Sequence, residues 1–302
     1  MMEFGTVQEC SRKSSENTGR SQNSATEEAG AMAVLVSQSY AGAYYPLTTL
    51  LPPTIFFRRP HSTAVQCLGF HGSFNVEQYN HNSRKHWDEF YERHQNKDRH
   101  YLEKDWGQYF CDDNTIPSNG KIILEAGCGV GNTIFPLIKK YPQLYVHACD
   151  FSHHAINLVK SDAKFREDQM NVFVCNIAED DLCDHIIPSS LDIATLIFTL
   201  SAVCPENMPN VIQNLGHPNG VVLLRDYAIG DYAQELLITK NQVISDNFYF
   251  RGDGTSSFYF SEDFLSNMFV RAGFSIVDVN TYNREIKNRS KNITMQRYIL
   301  QS

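Results

Sequence analysis

The chain has 302 residues, 42% of them hydrophobic and 20% charged, which is enough for a sizeable core and is neither a fibrous nor a wholly disordered composition. Lys and Arg number 26 against 34 Asp and Glu, and a formal net charge of −8 excludes the broad positive field of a non-specific nucleic-acid binder; any polyanion must meet a local basic patch. The eight cysteines form no CxxC pair and no zinc-finger spacing with histidine, so no metal is expected, and no run of 18 apolar residues marks a membrane span.

Residues 1–80 read as an extension. Its first 30 positions are rich in Ser, Glu, Asn and Gly, a composition that cannot repay the entropy of ordering. Positions 29–76 contain no acidic residue, and Arg58 and Arg59 follow an apolar stretch. That pattern fits either an organelle transit sequence, with translation starting at Met32, or a disordered extension without an address. A cytoplasmic or nuclear location is expected, with a mitochondrion or plastid as the alternative under the Met32 start. Several cysteines fall in apolar runs, which favours a reducing compartment.

Within 81–118, Trp87, Phe90, Tyr91 and His94 recur at helical spacing with charges between them, predicting an amphipathic helix. From 119 to 302, β-branched runs alternate with helical patterns: KIILEAG, NTIFPLIKKY, LYVHACD, HHAINLVKSDAKF and NVFVCNI. Parallel strands joined by crossover helices follow from that alternation. A strand over 191–200, a helix near 206–215 and a strand over 220–227 come next. A linking region runs to about Ser261, which caps a helix carrying Glu262 and Asp263 in its first turn. Two closing β-like runs flank a polar turn with Arg284, Glu285, Lys287, Arg289 and Lys291, as an antiparallel hairpin requires. Together with Arg297 these give five basic residues against one acidic, the best basic patch in the chain.

The strand ending at Glu125 runs into AGCGVGN, where Gly127, Gly129 and Gly131 permit positive φ and close backbone approach to a ligand before a helix that Asn132 can cap. A second strand ends in Asp150, 23 residues beyond Gly127, about the spacing at which an acid reaches ribose hydroxyls. G-x-G-x-G spacing, an acid two residues before it and the closing hairpin favour S-adenosylmethionine over a dinucleotide or a structural turn. A third strand ends CNI, placing the Asn176 amide oxygen for an adenine amino group and Ile177 against the ring; an ordinary loop turn is the alternative.

Several motifs recur in order from 84 to 300: KHWDEFYERHQNKDRHYL, LEAGCGVGNTIFPL, ACDFS, LIFTLSAV, LLRDYAIGD and NFYFRGDGTSSFYF. On these the chain resembles the tRNA N3-methylcytidine methyltransferases. The resemblance implies a Rossmann-like, seven-stranded α/β class I fold dependent on S-adenosylmethionine, with an N-terminal helical lid. It further implies methyl transfer to N3 of cytidine at position 32 in the tRNA anticodon loop, with an aminoacyl-tRNA synthetase or another tRNA-binding protein as partner. Trp87, Tyr91 and Arg99 would then form the lid over the donor, with Phe151, Ser152 and Ile197 in the remaining donor motifs. Asn176, Leu236 and Ser256 stand where the family has Asp, Arg and Arg. A catalytically weak, donor-binding adaptor and a methyltransferase of a protein or small molecule are the alternatives.

Cytosine N3 carries a free lone pair and loses no proton on methylation, so the step needs no general base. Catalysis should rest on positioning and on polar groups near the developing cation. Asp226, at the carboxyl end of a parallel strand, is the leading expected catalytic residue, or else the partner of Arg225. Tyr227 and Phe248 either stack on a splayed base or belong to the core. Arg225, Arg251, Asp253 and Thr255 are expected on the substrate side.

Overall fold

Strand residues with apolar side chains on both faces need a layer of helices on each side, and the sheet is built that way. In this computed structural model the described residues are 32–37, 76–93, 98–111, 120–215, 220–288 and 293–301. Five parallel strands form the centre: β2 (Ile122–Ala126), β3 (Tyr145–Asp150), β4 (Met170–Val174), β5 (Ile193–Ile197) and β6 (Val221–Tyr227). Consecutive residues alternate between two cores. Ile123, Val146, Ile193 and Leu223 face one core, with Leu102, Trp106 and Phe110 of helix α2 (Tyr101–Phe110), helix α3 (Ile134–Lys140) and helix α4 (His153–Ser161). Leu124, Leu196, Val222 and Leu224 face the other, with helix α5 (Met208–Asn214) and helix α7 (Glu262–Arg271).

The complete sheet has eight strands in the order β10-β11-β1-β6-β5-β2-β3-β4, where β10 is Phe274–Asn288, β11 is Ile293–Gln301 and β1 is Met32–Ser37. Seven are those of the expected class I fold. The eighth, β1, comes from inside the segment expected to be a disordered or targeting-like extension. It pairs antiparallel with β6 through Ala33–Leu224 to Val36–Val221, and with the first half of β10. Strand β11 covers only the second half of β10, Asn280–Asn288, so β1 supplies partners to backbone groups of β6 and β10 beyond the reach of β11.

The closing strands are antiparallel as expected, but Arg284, Glu285 and Lys287 lie within β10, opposite Arg297, Gln296 and Thr294, instead of in a turn. Arg289 and Lys291 lie outside the described residues. The supposed linking region is ordered into helix α6 (Tyr232–Thr239) and a three-stranded antiparallel sheet of β7 (Val243–Ser245), β8 (Phe248–Phe250) and β9 (Ser256–Phe258). Asp231 caps α6, accepting from the Ala233 amide at 2.7 Å, while its other oxygen takes Arg297 at 2.8 Å. One patch cation is thereby spent on the fold. Ser261 caps α7 as predicted, accepting from the Phe264 amide at 3.2 Å. Asn132 caps nothing: α3 is preceded by Thr133, and the Asn132 carbonyl instead accepts from the Arg99 amide at 2.8 Å.

Candidate functional site

The carboxyl ends of β2 to β6 open into one cavity, the edge at which open α/β sheets bind ligands. Its floor is the glycine turn. Gly127 and Gly129 have φ of +74° and +52°, and a Cβ on Gly127 would lie 2.3 Å from Thr199 Cγ2. Only glycine therefore allows this turn to lie against the segment after β5. The Gly129 amide donates to Asp150 Oδ2 at 2.9 Å, and the Ser152 amide donates to Oδ1 at 2.9 Å. Burial still pushes the Asp150 carboxyl up to about 6.

Glu125 lies beneath the turn, 2% exposed, and among the described residues neither carboxylate oxygen has a hydrogen-bond partner. Burial raises it to about 8, opposed by the neighbouring Thr133 hydroxyl and the Arg99 guanidinium. A buried carboxylate without a donor is costly alone and becomes favourable beside a cationic ligand.

The roof is helix α1 (Val76–Arg93), whose Trp87, Phe90 and Tyr91 rings pack with centroids 5.2 to 5.8 Å apart. The Tyr91 hydroxyl donates to Asp150 Oδ2 at 3.4 Å and sits against the Gly129 backbone. Asp88 latches the roof to α4: its carboxylate takes the Ser152 hydroxyl and the His154 amide, the latter at 3.3 Å. Ser152, fully buried, is thus an anchor and helix cap rather than part of the cavity wall. His94 lies outside the described residues.

Trp87, Tyr91, Arg99, Gly127, Gly129, Asp150, Phe151, Asn176, Ile177 and Ile197 all line the cavity. Glu125 and Gly131 are not in its lining; Gly131, with φ of +87° and no room for a Cβ beside the Phe135 ring, shapes the turn itself. Asn176 is in the wall, but its amide oxygen accepts from the Ala178 amide at 3.2 Å, folding the 176–180 turn. Arg99 reaches across the cavity, its guanidinium 3.5 Å from the Ile197 carbonyl and 5.4 Å from the Phe198 ring centroid.

The other side of the cavity differs from expectation. Arg225 and Asp226, adjacent on β6, point to opposite faces, and neither lines the cavity. Arg225 pairs with Asp105 of α2 at 3.1 Å and lies 3.8 Å over the Tyr101 ring, so it ties a helix to the sheet instead of facing substrate or Asp226. Asp226 is fully buried and accepts from the Ser201 amide and its own neighbour's amide, Tyr227, both at 2.9 Å. Burial pushes it up to about 7. Of the two readings open for Phe248, the structure takes the core one.

Tyr227 and Arg251 do line the cavity. Asp253 and Thr255 fold the loop that presents Arg251: Asp253 accepts the Thr255 amide and hydroxyl at 3.0 and 2.6 Å and pairs with Arg251 at 3.3 Å. Phe198, Thr199, Ser201, Cys204, Asn207 and Ser256 complete this side without having been expected there. Phe198 holds φ of +55°, a strained conformation for an aromatic residue, and its ring lies 4.9 Å from that of Tyr227. The motif LIFTLSAV and the strand-end rule were the available signals for these residues. Among the described residues no three His, Cys, Asp or Glu side chains gather as a metal site.

Residues 124–222 match a family model described as a methyltransferase domain. The chain is 38% identical over 236 residues to the tRNA N(3)-methylcytidine methyltransferase trm141 of Schizosaccharomyces pombe, covering 76% of this chain and 94% of that protein. Identity to the human tRNA N(3)-cytidine methyltransferase METTL6 is 38% over 237 residues, covering 76% and 82%. Among solved structures, magnesium protoporphyrin IX methyltransferase from Synechocystis with bound SAH aligns at a TM-score of 0.46 and 15% identity, over 75% of this chain and 99% of that one.

Proposed function

The chain belongs to the tRNA N(3)-cytidine methyltransferase family, and from that premise we propose that it methylates N3 of a cytidine in tRNA, at position 32 of the anticodon loop, using S-adenosylmethionine. The observation that carries this reading is the match to the fission-yeast enzyme across 94% of that protein's length and 76% of this chain.

The residues present fit the donor. Glu125 offers an unpartnered buried carboxylate to a cationic group, the glycine turn leaves room where any Cβ would collide, and Asp150 stands at the end of the second central strand, where ribose hydroxyls bind. Ile177 and Phe151 supply apolar wall for an adenine, and Trp87 and Tyr91 close over it. When bound, the donor would supply an electrophilic methyl group to a nucleophile with a free lone pair, such as cytosine N3.

The chain's own part is to hold the base and exclude water. N3 lies on the Watson–Crick edge, so the target must be unpaired, as an anticodon-loop base is. Phe198 and Tyr227 offer ring faces to such a base, and Arg251 offers a guanidinium to a neighbouring phosphate. Arg284 and Lys287 on β10 are exposed and support contact with the rest of the tRNA, while a synthetase or another tRNA-binding protein would add affinity that a chain of net charge −8 lacks. The place of Met32–Ser37 in the sheet supports a cytoplasmic or nuclear location, because a transit segment removed beyond it would take that strand away.

Incubating tRNA with the protein and donor, alone and with a tRNA-binding partner, and then digesting it to nucleosides for mass spectrometry should yield 3-methylcytidine. Primer extension should place it at position 32. Absence of the product under both conditions refutes the reading.

A further inference from the structure

The roof helix α1 meets both sides of the cavity. Ser83, Trp87, Phe90 and Tyr91 stand at i, i+4, i+7 and i+8, so one face of the helix looks into it. Near the carboxyl end, Tyr91 reaches Asp150 and the Gly129 backbone on the donor floor. About one and a half turns earlier, His86 meets the loop that presents Arg251. A Cβ placed on Gly254 would lie 3.3 Å from His86 Cγ, 3.4 Å from Cδ2 and 3.5 Å from Cβ. The imidazole and its stem therefore lie flush on a backbone position without a side chain.

The Arg251 loop moves as one piece. Its Arg251 amide donates to the Thr255 carbonyl at 2.7 Å, and its Gly254 amide donates to the Arg251 carbonyl at 3.0 Å. Asp253 accepts from the Thr255 hydroxyl and pairs with the Arg251 guanidinium. A displacement at Gly254 is thus passed to Arg251 instead of being absorbed within the turn. Helix α1, by contrast, is held lightly. Between 82 and 93 no side chain is fully buried, and none belongs to either core. Its ties to the body include Tyr91 on Asp150 and Asp88 on Ser152 and His154, all beside the donor floor. A helix docked in this way has a docked population that a ligand on that floor can raise. A donor seated between floor and roof adds contact with Trp87 and Tyr91, and the same helix then keeps His86 on Gly254 for more of the time.

We propose that His86 is a positioning residue that links the two sides: through its packing on Gly254, donor binding beneath α1 fixes the Arg251 turn where an RNA phosphate meets it. By reciprocity, RNA on that turn favours the donor. This rests on the reading of the protein as a tRNA methyltransferase and deepens it, because it ties capture of RNA to a loaded donor site.

The test compares the full chain as wild type, His86→Ala and His86→Phe. The ligands are sinefungin, an unreactive cationic analogue of the donor, and a tRNA anticodon stem-loop. Dissociation constants are measured for each ligand with and without the other, with thermal stability followed in parallel. In the wild type each ligand should tighten the other about 10-fold. In His86→Ala that factor should fall to about twofold, while each ligand alone binds within about threefold of wild type. A merely structural loss would weaken the single affinities and leave the factor intact. His86→Phe keeps a ring on Gly254 and should restore the factor. Should His86→Ala fail to fold, Gly254→Ala, which puts a Cβ against the same ring, should lower the factor from the other side of the contact.

Hydrogen exchange read by mass spectrometry follows the same link without RNA. Sinefungin should slow exchange over 251–255 in the wild type and His86→Phe but not in His86→Ala, while protecting α1 in all three. A factor that stays unchanged in His86→Ala, a factor near 1 in the wild type, or protection of 251–255 that survives the substitution overturns the role of His86. A wild type that makes no 3-methylcytidine refutes the parent reading, whereas one that makes it without this coupling refutes the present inference alone.

Discussion

The two sides of the cavity are built by different means. The floor of the donor side is largely backbone: a glycine turn, the carboxylates that end adjacent strands, and the Gly129 and Ser152 amides that hold Asp150. The substrate side is assembled from side chains far apart in the chain, with Phe198 and Ser201 after β5, Tyr227 after β6 and Arg251 and Ser256 from the small sheet. A site made of backbone tolerates no added atoms, whereas a site made of side chains depends on what stands behind each of them.

The sharpest way to separate the two is steric. Gly127→Ala should lower donor affinity by about 100-fold, since a Cβ there meets Thr199 at 2.3 Å on a positive-φ backbone, while Gly252→Ala, with nothing within 4 Å, should leave affinity unchanged in the same titration calorimetry. Next comes Arg225→Leu, which strands Asp105. It should cost about 2 kcal/mol of stability in denaturant titration while kcat/KM of the folded enzyme stays within about twofold of wild type. A selective loss of tRNA affinity would instead return Arg225 to the substrate side.

The third comparison uses pH. Glu125 must be ionised to hold a cationic donor, and burial sets it at about 8 in the free protein. Donor affinity should therefore tighten as pH rises from 6 to 8, approaching about tenfold per unit, with a proton released on binding; Glu125→Gln should flatten the profile. Stability of the free protein runs the other way. Glu125, Asp226 and Asp150 all hold protons more tightly folded than unfolded, so stability falls as pH rises from the ordinary carboxylate range toward 8 and levels off above it. The smallest effect is expected at the roof, where Asp88→Ala removes the latch to Ser152 and His154 and should weaken donor binding by about threefold, with faster proteolytic cleavage in α1.

The donor side was legible in the sequence because its determinants are local. Three alternate glycines can only mark a turn of unusual φ, and an acid closing the next strand falls beside that turn through parallel pairing, Ala126 opposite Cys149. The substrate side was legible only as motifs. LIFTLSAV marked the right segment, yet Ser201 was not singled out, because a serine in a turn carries no pattern of its own until its partner is known. Phe248 looked like Tyr227 from composition, and only packing sent one to the core and the other to the cavity. The strand at Met32–Ser37 sat in a segment whose composition fitted a transit sequence or a disordered extension, and its pairing depends on the part of β10 that β11 does not cover.

What the sequence by itself determined was therefore the parallel sheet, the glycine turn and the acids at the strand ends, all fixed by interactions within a few residues or by strand periodicity. What only the tertiary structure decided was the division of labour between Arg225 and Asp226. Alternation along β6 requires that they point opposite ways, but which face holds Asp105, 120 residues earlier, and which holds Ser201 is set by how the helices and turns pack on the finished sheet.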